Sequence, residues 1–139
     1  VTYDTLVKAE SALPLAYENG AVWFMTKKTF MEFVGMTDSA GQPIARVNYG
    51  IGGRPERTLL GRTVVLNDYM DSYSDSPSTN TIVAFLFNPK DYILNTNLNM
   101  TIKRYEDNDT DDQITKAIML VDGKVVDKNS LVTVTKKSA

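Results

Sequence analysis

The sequence predicts an α+β fold, and three observations predict it. Helical periodicity is confined to the first third of the chain. Strand-like apolar runs follow one another after it, and no helix-length segment returns between them. That order excludes a repeating βαβ architecture and predicts a mostly antiparallel sheet with two helices near the N-terminus. A chain of 139 residues with 42% hydrophobic content can bury one ordinary core, and is too short for two large ones.

Across residues 5–13, Leu6, Val7, Ala9, Ala12 and Leu13 recur at three- and four-residue spacings, predicting an amphipathic helix capped near Asp4. Pro14 ends or kinks it, and residues 15–19 add one turn that stops at Gly20, a residue type suited to a left-handed cap. Residues 21–25 (AVWFM) form a short aromatic run bounded by a cap signal, read as a buried strand with Trp23 in the core. Thr26 is the N-cap of a second helix over 27–34, with Phe30, Phe33 and Val34 on one side and Gly35 closing it.

Residues 38–56 collect Gly41, Pro43, Gly50, Gly52, Gly53 and Pro55, a composition for a long surface loop or flexible hairpin. Residues 59–66 (LLGRTVVL) read as a strand entered through Gly61, 68–80 as a second polar loop, and 81–87 (TIVAFLF) as the most strand-like run. After Pro89, 92–94 and 100–105 are short strands leading into an acidic turn at 106–112. Residues 113–121 and 124–126 flank Asp122-Gly123, a two-residue hairpin signal, and 131–134 alternates as a final strand before the polar tail 136–139. There is no internal repeat.

Fifteen Lys and Arg against 17 Asp and Glu leave a net charge of -2, which does not support tight binding to a nucleic-acid backbone. With no cysteine and no histidine, Ser-His-Asp triads, Cys-His dyads, thiolate or imidazole zinc sites and disulfides are all excluded. No apolar run approaches the ~20 residues that span a bilayer, and residues 1–10 lack the pattern of a signal peptide.

The remaining candidates for chemistry are weak. Asp107, Asp109 and Asp111 match the opening of a calcium loop, in which alternating oxygens converge on a hard cation. Asp112 then stands where the loop needs glycine and Ile118 where it needs a bidentate Glu, so a solvated turn or a subunit contact is the better reading. Residues 50–54 (GIGGR) fail both dinucleotide and P-loop spacing and read as a loop tip. Glu32, between Met31 and Phe33, is the one carboxylate in an apolar sequence setting, and a solvent-facing helix position explains it. Asn99-Met-Thr101 and Asn108-Asp-Thr110 fit the glycosylation pattern without a secretion signal to give it meaning. Tyr17, Trp23, Phe24, Phe30 and Phe33 read as core rather than a binding platform.

The order of segments resembles the C-terminal part of the major capsid proteins of tailed phages, the family with the Hong Kong 97 type fold. Ala12-Leu13-Pro14, Tyr17 and residues 20–26 (GAVWFMT) are similar to its strand entry, and the helix 27–36 runs into Asp38-Ser39-Ala40-Gly41 as in its members. Residues 58–65 (TLLGRTVV) are similar to its "LLGRPVV", with Thr63 in place of the usual proline. Residues 85–94, 101–105 and 121–127 (VDGKVVD) resemble its later strands.

The resemblance implies an axial domain over 1–97, pointing to the capsomer centre, and strands returning to the peripheral domain over 98–139. The family's N-terminal arm, extended loop and spine helix have no counterpart, so the chain is expected to be a fragment. It implies a structural subunit of an icosahedral head, with no catalytic residues, no cofactor and no metal. Its partners would be other copies of itself, in hexamers and pentamers, with scaffold, protease and portal proteins, and neither sequence-specific nucleic acid nor membrane. The location implied is the virion, assembled in the bacterial cytoplasm around double-stranded DNA. Loops 38–56 and 68–80 are the candidates for contacts around the capsomer axis. Some members crosslink through a lysine and an asparagine, but the strand 113–120 has no asparagine, so crosslinking is not expected. An encapsulin-type shell shares the same fold. From other classes, a carboxylate-based hydrolase would need two facing acids in a cleft, and a ligand-binding or adhesion module a deep apolar pocket. Without the spine helix and arms, a monomer or weak oligomer is expected in solution.

Overall fold

Thr2, not Asp4, starts the first helix, α1 (Tyr3–Ala12), its N–H donating to Thr5 Oγ1 at 3.3 Å. The computed structural model describes residues 1–49, 53, 55–74, 76–107 and 109–138, with backbone alone at 98 and 99. Pro14 separates α1 from the single-turn α2 (Leu15–Glu18), and Gly20 takes a φ of +94° after it. The buried Asn88 amide closes this turn by donating to the carbonyls of Tyr17 (3.3 Å) and Asn19 (3.0 Å).

The strand β1 (Val22–Met25) and helix α3 (Lys27–Val34) lie where the sequence places them, with Thr26 Oγ1 accepting the Thr29 N–H at 3.3 Å as N-cap. Trp23 and Met25 point alternately to Val22 and Phe24, and both are fully buried in one core with Leu6, Ala9 and Leu13 on the first helix side and Phe30 and Phe33 on α3. On the other face of β1, Phe24 stacks on Phe85 with ring centroids 4.9 Å apart.

Around β1 the strands β2 (Ala45–Asn48), β3 (Glu56–Leu59), β4 (Arg62–Leu66), β5 (Thr81–Phe87) and a last strand at Leu131–Lys136 form a six-stranded sheet. Its order is β2, β3, β4, β1, β5 and the last strand, and among the described residues only the β1–β4 pairing is parallel. One expectation is corrected here. The run 59–66 is not one strand: Leu60 (φ 50°) and Gly61 (φ 80°) form the two-residue turn that joins β3 to β4, because a primed turn matches the right-handed strand twist. Within 38–56, the hairpin alternative holds for the β2–β3 pair, preceded by a turn in which Asp38 Oδ1 accepts the N–H groups of Ala40 and Gln42, both at 2.8 Å. Of the glycine-rich stretch 50–54, all but Gly53 lies outside the described residues.

The remaining strands, β6 (Tyr92–Asp107) and β7 (Asp112–Val125), pair with each other as a long antiparallel ribbon, and the final strand is therefore β8 (Leu131–Lys136). Asp122-Gly123 is not a hairpin turn. Gly123 lies inside β7 opposite Leu94 without the positive φ that such a turn needs, and a Cβ there would collide with the Tyr92 ring. The chain divides into two compact units, Val1–Lys90 with Asp127–Ala139, and Asp91–Val126. The chain passes between these units at 90/91 and 126/127, and β8 belongs to the sheet beside β5.

Candidate assembly surfaces

Arg62 opens β4 next to the Leu60-Gly61 turn, and the turn carries its guanidinium to α1 and α2. Nε donates to Glu10, Nη1 to the Glu18 carbonyl at 2.8 Å and Nη2 to Glu18 Oε1 at 3.0 Å. The side chain is 17% exposed, so this charge-assisted fork is partly shielded from water and ties helix to sheet. Glu10 and Glu18 border the same open depression of about 450 Å³, but both face one arginine rather than each other. Glu32 is exposed, as a solvent-facing helix position requires.

At the ribbon tip, Asp107 Oδ1 accepts the Asp109 N–H at 3.1 Å and Asp111 has a φ of 54°. The Asp107 carboxylate serves a turn, and among the described residues no group of three acidic side chains is arranged to hold a metal ion. No helix among the described residues is long and apolar enough to cross a membrane.

Asp127, at the return to the sheet unit, accepts a hydrogen bond from the Tyr17 hydroxyl and another from the Asn129 N–H at 2.9 Å. The Tyr17 bond first and the backbone bond second hold its carboxyl below the ordinary carboxylate value. The loop 68–80 is anchored at Tyr73. Its N–H donates to Thr29 Oγ1 at 2.9 Å, its ring packs edge-on to Phe33, and Lys136 Nζ lies 5.1 Å from the ring centroid.

What the sheet unit leaves outside is specific. Tyr69 is 99% exposed at the start of the 68–80 loop, Tyr49 73% at the end of β2, and Leu15 83% on α2. Exposed aromatics on two loops are the residue type that anchors protein contacts. In the ribbon the exposure is general: Ile93, Leu94, Met100, Ile102, Tyr105, Met119 and Leu120 are all more than half exposed, and none of the buried residues among those described lies in 91–126. Composition and periodicity had no means of finding these surfaces, because an exposed Ile on a strand and a buried one carry the same pattern.

The profile of the phage capsid family matches residues 1–136. Two solved structures, the capsid of an empty GTA particle and the capsid of a native GTA particle, each superpose with a TM-score of 0.72 at 20% sequence identity. In both, the alignment covers 99% of this chain, and 45% and 44% of the respective capsid chains, so the chain spans less than half the length of those it matches. No curated protein sequence matches it.

Proposed function

The chain belongs to the phage capsid family, and from that premise we propose that it is a shell-building segment of a major capsid protein, acting by self-association and not by catalysis. The observation that carries this reading is the match of nearly the entire chain to the family, joined to a surface in which a whole two-stranded unit exposes apolar side chains. A two-stranded ribbon is marginal in water unless something packs on it, and a shell lattice supplies that neighbour. The sheet unit, with β8 included, corresponds to the axial domain, and the ribbon at 91–126 to the strands of the peripheral domain.

In this reading Tyr49 and Tyr69 project from the loops that meet their equivalents around the capsomer axis, in hexamers and pentamers of the complete protein. Scaffold, protease and portal proteins are its assembly partners, and the virion, assembled in the host cytoplasm, is its location. A net charge of -2 suits a container wall that must not hold packaged DNA tightly. The test is negative-stain microscopy of the complete gene product expressed with its scaffold and protease. Closed icosahedral shells are expected, and a product that stays soluble and never closes with those partners present would overturn the assignment.

A further inference from the structure

On one face of the ribbon, the register places Lys103 directly opposite Lys116, then Tyr105 opposite Ile114, then Asp107 opposite Asp112. Like charges directly opposite one another weaken a strand pair, and this face carries two such pairs of contrary sign. Neither lysine has an ion-pair partner among the described residues, both are exposed, and Tyr105 between the two pairs is 52% exposed. Each charged pair stands two residues, about 6.6 Å, from the Tyr105–Ile114 pair, on opposite sides of it. The pattern therefore changes sign about its own centre.

We propose that this face is a homotypic contact, docking on the same face of a second copy across a two-fold axis that crosses the strands at Tyr105 and Ile114. That axis reverses the strand direction, so each lysine pair meets the partner's aspartate pair and the two apolar centres meet each other. An axis parallel to the strands would set lysines over lysines, so the charges select one orientation. Nucleic acid fits the face less well, since the Asp107–Asp112 pair would repel the phosphates that Lys103 and Lys116 attract. The contact is small and belongs with weak interfaces that gain strength by repetition in a lattice. It deepens the shell-subunit reading by naming a surface through which copies meet.

Sedimentation equilibrium of the 139-residue chain at low ionic strength tests it, with folding of each variant checked by circular dichroism. K103E/K116E makes the face wholly acidic and D107K/D112K wholly basic, and each alone is expected to lose at least about tenfold in self-association. An equimolar mixture of the two is expected to associate at least as well as the parent, and the fourfold exchange to regain self-association. Variants that associate like the parent, a mixture that does not recover, or a parent that stays monomeric would each overturn the contact. So would loss of duplex DNA retention in K103E/K116E without recovery on mixing, which would assign the lysines to phosphate. If the exchanged variants of the complete protein still closed into shells without that recovery, the contact would fall and the shell reading would stand.

Discussion

The sheet unit and the ribbon are both built from strands, but they satisfy those strands with different resources. In the sheet unit, β1 has neighbours on both edges, and its Trp23 and Met25 are fully buried with Leu6, Phe30 and Phe33. Stability there comes from removing apolar surface from water. In the ribbon, β6 and β7 each have one neighbour, no residue is buried among those described, and Ile, Met, Leu and Tyr side chains stand in solvent. Among the described residues, its order rests on cross-strand hydrogen bonds and side-chain pairs. The first unit buries its apolar side chains within its own contacts, and the second leaves them exposed.

The sharpest way to break this contrast is to hollow out the core. Phe30→Ala should cost about 3–5 kcal/mol, read as a shift in the urea midpoint of the main unfolding transition, and a change within 1 kcal/mol or so would mean the core is not shared in the way described. Next in size is the fork between helix and sheet. Arg62→Ala leaves the Glu10 and Glu18 carboxylates facing a partly shielded space without their cation, and should cost about 1–3 kcal/mol in the same measurement.

A change in the ribbon should do the opposite. Gly123→Val would drive a side chain into the Tyr92 ring and open the β6–β7 pairing around Leu94. Faster amide hydrogen exchange in 92–107 is expected, with the main transition moving by less than about 0.5 kcal/mol. Loss of the main transition with the ribbon would show the two units to be one cooperative block.

The smallest effect concerns Asp127, where the chain returns from the ribbon to the sheet. Because its folded-state carboxyl titrates below the ordinary range, its contribution is complete above about pH 4 and is lost as pH falls through the lowered value. Asp127→Asn or Tyr17→Phe should therefore flatten the acid side of the stability profile while leaving the neutral side parallel to the parent. An unchanged acid limb would remove the Tyr17 contact from the account.

Much of the fold was legible in the chain itself. Spacing of Leu6, Ala9 and Leu13, the Thr26 cap, Pro14 and the apolar runs 21–25 and 81–87 predicted elements that the structure contains, because these signals act within a few residues. The misreadings share one cause. Leu60-Gly61 reads as part of a strand and Asp122-Gly123 as a hairpin turn, yet the first is a turn and the second lies mid-strand. What separates them is the neighbouring strand: Leu59 finds Arg62 across the first, whereas Gly123 finds Leu94 and packs under Tyr92. For the surfaces, the opposition of Lys103 to Lys116 needed the register of two strands.

By itself, the sequence determined the α+β class, the helices, the buried Trp23, the exclusion of histidine and cysteine chemistry, and the likeness to capsid proteins that family membership bears out. These follow from local periodicity, composition and ordered motifs. Only the tertiary structure decided that β8 joins β5, that β6 and β7 pair with each other as a ribbon, and that one ribbon face changes sign of charge about its centre. Those are pairings between distant segments, set by which partner buries or satisfies which face, and no local stretch of chain encodes the choice.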